Sequence, residues 1–138
     1  MFLIDTNIIS EVSEGRRCDP NVSDWYRTVR EDEIFLSVLV IGEIRQGIER
    51  LRPRSARRAH QLEPWLNELL RAFADRILPV DESTAQHWGR INARKALPVI
   101  DSLLAATAQA HGLTLVTRNL KDLESSGVRC LNPFEAKR

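Results

Sequence analysis

The sequence predicts an α/β protein, a three-layer α/β/α sandwich around a central, mainly parallel five-stranded sheet. Two observations predict it. Five short stretches rich in Ile, Leu and Val, namely FLI, EIFLS, RILPV, LTLVT and VRCL, are separated by longer segments whose apolar residues recur at helical spacing. Strands that alternate with helices pair in parallel, because each helix returns the chain to the starting edge of the sheet. The size agrees: 138 residues, 43% hydrophobic and 28% charged, suit one globular domain with its own core. No internal repeat, low-complexity stretch or linker divides residues 1–138, which are read as that single domain.

In chain order, FLI is the first strand, followed by helical spacing over 7–14 and 21–30. EIFLS is the second strand, and helices over 39–51 and 54–74 follow it. Pro53 separates those two helices, since proline lacks the amide a helix interior needs. After RILPV, Asp81 is placed to cap a helix that starts at Glu82. Leu97-Pro98 breaks that helix before VIDSLLAATAQAH, and Gly112 closes the last one. LTLVT and VRCL complete the sheet.

Composition excludes several classes. A net charge of +1 argues against a protein held to nucleic acid by bulk charge, leaving only a local basic patch. Cys18 and Cys130 fit no metal-binding or redox spacing and are read as reduced thiols. No apolar run approaches the ~18 residues that span a bilayer, and no basic leader precedes MFLIDTN. The expectation is a cytoplasmic protein with no membrane partner.

In open parallel sheets the ligand crevice lies beyond the carboxyl ends of the strands. Four acids map to that edge. Asp5 ends the first strand, Glu43 lies early in the helix after the second, Asp101 opens the VIDSLLAATA helix, and Asp122 follows Thr117 at the end of LTLVT. Singly, each has an ordinary explanation: a helix cap at Asp5, a helix residue at Glu43, a dipole-favoured acid at Asp101, a solvated loop charge at Asp122. Asp101 is expected to face inward, since its neighbours at helical spacing are Leu104, Ala105 and Ala108. A buried carboxylate with no basic residue beside it needs pairing or coordination. A cluster of such acids points to a hard divalent cation, Mg²⁺ or Mn²⁺.

The segments FLIDTNIIS, SVLVIGEIRQGIERL, WGRINARKALPVIDSLLAATAQAHGLTLVTRNLKDL and VRCLNPF, in that order over nearly the whole chain, resemble the PIN-domain family. The likeness is greatest to toxin endoribonucleases of the VapC and FitB type. It implies a PIN-like fold and a catalytic, metal-binding set of Asp5, Glu43, Asp101 and Asp122, with Thr117 and Asn119 as polar companions. It also implies an RNA substrate cut to 5′-phosphate and 3′-hydroxyl ends, within a VapBC-type toxin–antitoxin module. The implied partners are a VapB/FitA-like antitoxin whose tail occupies the acidic groove and a second copy of the chain in a homodimer. DNA is touched only through the antitoxin. One departure is visible: the family commonly has Phe after the last acid, and here Leu123 follows Asp122, a difference of local packing.

The expected reaction is hydrolysis of an RNA phosphodiester by a metal-activated water, which needs no side-chain nucleophile. His60, His87 and His111 accordingly read as surface or helix-face residues. Two alternatives stand beside it: a catalytically silent PIN-like module that only binds partners, and a metal-dependent phosphohydrolase of another class. A dehalogenase-like phosphohydrolase wants a second Asp two residues after the first, whereas this chain has Asp5-Thr6-Asn7. A phosphoreceiver domain wants an early acidic pair, which is missing.

The run EIRQGIERLRPRSARRAH carries Arg45, Arg50, Arg52, Arg54, Arg57 and Arg58. Two readings are open: phosphate contact, for which Arg52, Arg54, Arg57 and Arg58 are the candidates, or a solvated hairpin face partly balanced by Glu49. Arg118, beside Thr117, is a separate candidate for positioning a phosphate. Trp25, Trp65 and Trp88 are read as core or subunit packing.

Overall fold

The computed structural model describes residues 1–135. Its centre is β1 (Phe2–Ile4), where Leu3 and Ile4 are fully buried because the sheet is covered on both faces. On one side β1 pairs with β2 (Ile34–Ser37), Phe2 opposite Ile34. On the other it pairs with β4 (Thr114–Val116), Ile4 opposite Val116. Two-residue edge strands, β3 (Ile77–Leu78) and β5 (Cys130–Leu131), complete the order β3-β2-β1-β4-β5. All four strand pairings are parallel, so the sheet is wholly rather than mainly parallel.

The connections set the layers. Helices α1 (Thr6–Ser13) and α2 (Pro20–Thr28) join β1 to β2, and α3 (Val38–Leu51) and α4 (Ala56–Ala72) join β2 to β3. Both crossovers step the same way across the sheet, so right-handed connection puts all four helices on one face. The chain then returns past β1 through α5 (Glu82–Arg94) and α6 (Val99–His111), which pack together on the opposite face. Beyond β1 and β4 the crossovers diverge, and that divergence opens a crevice at the carboxyl ends of the two strands.

Local chemistry sets the helix ends. Asp81 caps α5 by accepting from the Thr84 amide at 2.9 Å, and Asp19 caps α2 ahead of Pro20. Gly112 stops α6 with a left-handed φ of 65° that a side chain would disfavour. The α4 helix is shorter than the expected 54–74, because Arg54 and Ser55 turn back onto the Leu51 carbonyl before it starts. At its far end the Arg76 guanidinium donates to the Ala72 carbonyl and, across the sheet edge, to the Ile34 carbonyl at 2.9 Å.

Candidate acidic active site

The end of β1 delivers Asp5 straight into the crevice. Its backbone amide still pairs with the Val116 carbonyl at 3.1 Å, so it stands level with the end of β4. One carboxylate oxygen, Oδ1, caps α1 by accepting from the Ile8 amide at 3.1 Å; the other, Oδ2, accepts from the Thr117 hydroxyl at 2.6 Å. Capping and site placement are therefore combined in one side chain. Asp5 is only 7% exposed. Burial pushes its carboxyl above the ordinary value, the bonds from Thr117 and Ile8 pull against that, and the nearby Asp101 charge adds to the rise.

Glu43 reaches the same edge from α3, where Thr6 donates its hydroxyl to Oε1 at 2.6 Å. The loop after β4 supplies the remaining polar groups. Thr117 accepts from the Asn119 amide at 3.2 Å, and the Asn119 side-chain amide reaches Asp122 at 3.1 Å and Asp101 at 3.4 Å. Two hydrogen-bonded groups result: Asp5, Thr117 and Asn119 with Asp101 and Asp122 on one side, and Glu43 with Thr6 on the other.

The expectation that Asp101 faces inward and is buried needs correction. Asp101 is half-buried, while Leu104, Ala105 and Ala108 further along α6 are buried. α6 runs antiparallel to β4, so its first turn lies at the carboxyl edge, where the crevice is open to solvent. The buried acid is Asp5 instead.

All these groups carry oxygen ligands, four carboxylates, the Thr6 and Thr117 hydroxyls and the Asn119 amide, a set suited to a hard divalent cation. Among the described residues, no three Asp, Glu, His or Cys side chains form a ready-made cation cage. Asn119 fits the cluster by donating hydrogen bonds to two acids that would otherwise repel each other.

The chain and its fold have known counterparts. The model of the PIN domain family matches residues 2–124. The chain belongs to the PIN-domain family. It is 31% identical to the VapC ribonuclease Y4jK of Sinorhizobium fredii, over 98% of this chain and 99% of that protein. With the toxin FitB of Neisseria gonorrhoeae it shares 32% identity, over 97% and 99% of the two chains. Among solved structures it superposes on FitAB bound to the IR36 DNA fragment with a TM-score of 0.89 and 28% identity, covering 100% of this chain and 99% of that one.

Around the site of this PIN domain, Leu123 is buried at 1% exposure, so the residue after Asp122 fills a packing position. Arg118 is exposed, and its guanidinium stacks 4.5 Å from the centre of the Phe134 ring. His60 and His111 are exposed, and His87 shares a hydrogen bond of 3.0 Å with Gln109 between α5 and α6. Trp25 is core, edge-on to Phe2 at 5.4 Å, and Trp88 donates to the Ser102 hydroxyl at 3.0 Å.

Two residues were missed in the sequence. Thr6 gave a signal, a hydroxyl directly after the first acid. Glu63 gave none, because its partners Arg45 and Arg52 lie on the preceding helix and in the turn after it.

Proposed function

We propose that this PIN domain, residues 1–138, is the endoribonuclease toxin of a VapBC-type toxin–antitoxin module, dependent on Mg²⁺ or Mn²⁺. The observation that carries the reading is the buried Asp5 carboxylate, held at the junction of β1 and β4 by Thr117 and raised in pKa by its burial and, to a lesser degree, by the Asp101 charge. A polypeptide gains nothing in stability by burying one acid beside another. The names of its relatives, a VapC ribonuclease and the toxin FitB, support the same reading. On this reading the partners are a VapB/FitA-like antitoxin, an RNA substrate and a second copy of the chain. DNA is reached through the antitoxin, and the setting is cytoplasmic.

Asp5, Glu43, Asp101 and Asp122 would hold the cation. When bound, it polarises a phosphoryl oxygen and lowers the pKa of water for in-line attack. Thr117 orients Asp5 and, through its hydroxyl oxygen, anchors the Asn119 amide. Asn119 positions Asp101 and Asp122, and Thr6 positions Glu43.

The test is cleavage of labelled transfer RNA and ribosomal hairpins by purified protein, with Mg²⁺, with Mn²⁺ and with EDTA. Cleavage to 5′-phosphate ends with either metal, and none with EDTA, is expected. Asp5→Asn, Glu43→Gln, Asp101→Asn and Asp122→Asn should each fall to background while melting as folded proteins. A folded wild type that cuts no RNA with either metal would instead support the partner-binding module. Near-normal cleavage by two or more of the variants would discard the site assignment.

A further inference from the structure

The α3–α4 hairpin carries a charge pattern that the acidic crevice does not explain. Between Arg45 and Glu63 six arginines face two glutamates, in a chain whose net charge is only +1. Both glutamates are already engaged. Glu63 accepts from Arg45 at 2.6 and 3.0 Å and from Arg52 at 2.6 Å, and Glu49 bonds the same two arginines. Arg45 and Arg52 are thereby struts that brace α3 against α4. Arg50, Arg54, Arg57 and Arg58 are exposed, and among the described residues none of them has a carboxylate within ion-pair distance.

The course of the chain puts the hairpin tip that carries these four on the crevice side of the molecule. α3 starts where β2 ends, and at Glu43 it still touches Thr6, so it has not descended along the sheet. α4 must deliver the chain to the amino end of β3. Its 17 residues measure about 25 Å, against about 13 Å for a four-residue strand such as β2. With α3 and α4 packed antiparallel, the tip stands beyond the carboxyl edge. Arg50 lies about 10 Å along α3 from Glu43, close enough for a strand in the crevice to continue onto the tip.

We propose that Arg50, Arg54, Arg57 and Arg58 form an arm that grips the RNA backbone flanking the cut, an inference that rests on the ribonuclease reading. The acids at the strand ends repel a polyanion, so a substrate must be held by cations outside the crevice. Guanidinium forks suit phosphate oxygens, and bracing by Glu49 and Glu63 holds the hairpin in place before binding.

The test is binding of a labelled single-stranded RNA of about twenty nucleotides, read by fluorescence anisotropy with EDTA present so that no strand is cut. Wild type is compared with R50Q/R54Q/R57Q/R58Q and with a control that removes equal charge elsewhere, R16Q/R27Q/R90Q/R94Q. Between about 50 and 200 mM KCl, the arm variant should bind at least about tenfold more weakly, and its log–log salt slope should fall by about 2 to 3. The control should stay near wild type. Equal loss in both variants, wild-type affinity in the arm variant, or no RNA binding by wild type would each overturn the arm. So would an arm variant that keeps RNA affinity and loses only binding to polyglutamate, which would assign the tip to an acidic protein segment. Wild type that binds RNA through the arm, yet never cuts it with Mg²⁺ or Mn²⁺, would overturn the ribonuclease reading alone.

Discussion

The Thr117 hydroxyl donates to Asp5 Oδ2 at 2.6 Å and so ties the carboxyl end of β4 to that of β1. The bond orients a carboxylate that its surroundings otherwise disfavour, since burial and the Asp101 charge both raise the energy of the ionised form.

That opposition predicts a trade-off between stability and function. In EDTA, Asp5→Asn should melt at or above the wild type, because the amide keeps the shape and removes the buried charge. Mn²⁺ should raise the melting temperature of wild type and leave the variant almost unmoved, as linkage requires for a ligand that binds only the folded site. A variant that melts clearly lower in EDTA and responds equally to Mn²⁺ would return Asp5 to a plain helix cap.

Thr6 holds Glu43 through a single hydroxyl. Thr6→Val should lower cleavage by about 10- to 100-fold, the usual effect of removing a group that orients a ligand, with an unchanged melting temperature. Thr6→Ser should restore most of the rate. The metal concentration needed for half-maximal cleavage should rise in the Val variant, and a purely structural role for Thr6 would leave it unmoved.

Asn119 donates to Asp101 and Asp122, so Asn119→Asp replaces a shared donor with a further negative charge. The variant should melt lower than wild type in EDTA and recover part of the difference in Mn²⁺. Differential scanning calorimetry at low salt is the measurement, because screening hides the repulsion at high salt. A metal-free melting temperature equal to wild type would show that the acids are too well solvated to repel.

The hairpin brace predicts a pH dependence. Arg45, then Arg52, hold the Glu63 carboxyl down to about 2, below its ordinary value of 4.5. A depressed folded-state pKa means that the unfolded chain binds protons first as the pH falls, so the stabilisation is complete above the unfolded value and is lost between about 4.5 and about 2. Urea unfolding at neutral pH should find Glu63→Gln less stable than wild type, with the gap closing toward pH ~2. Solvent screens these pairs, so the effect is small, and 1 M salt should narrow it further. A gap that persists unchanged at low pH would show that Glu63 acts through packing and not through its charge.

The sequence by itself determined the alternation of strands and helices, because apolar periodicity and end signals such as Asp81 and Gly112 act over a few residues. It also determined that Asp5, Glu43, Asp101 and Asp122 follow strands or open helices, which in a parallel sheet brings them to one edge. Only the tertiary structure decided which acid is buried. Spacing along α6 pointed to Asp101, yet burial at an element's end depends on what closes over that end. Asp5 lies between β4, Thr117 and the first turn of α1, whereas the first turn of α6 opens to solvent. The same holds for the arginine run, where the pairing of Arg45 and Arg52 with Glu63 exists only because α3 and α4 fold back on each other. Contacts of that kind depend on how distant segments meet in space, and no local pattern in the chain encodes them.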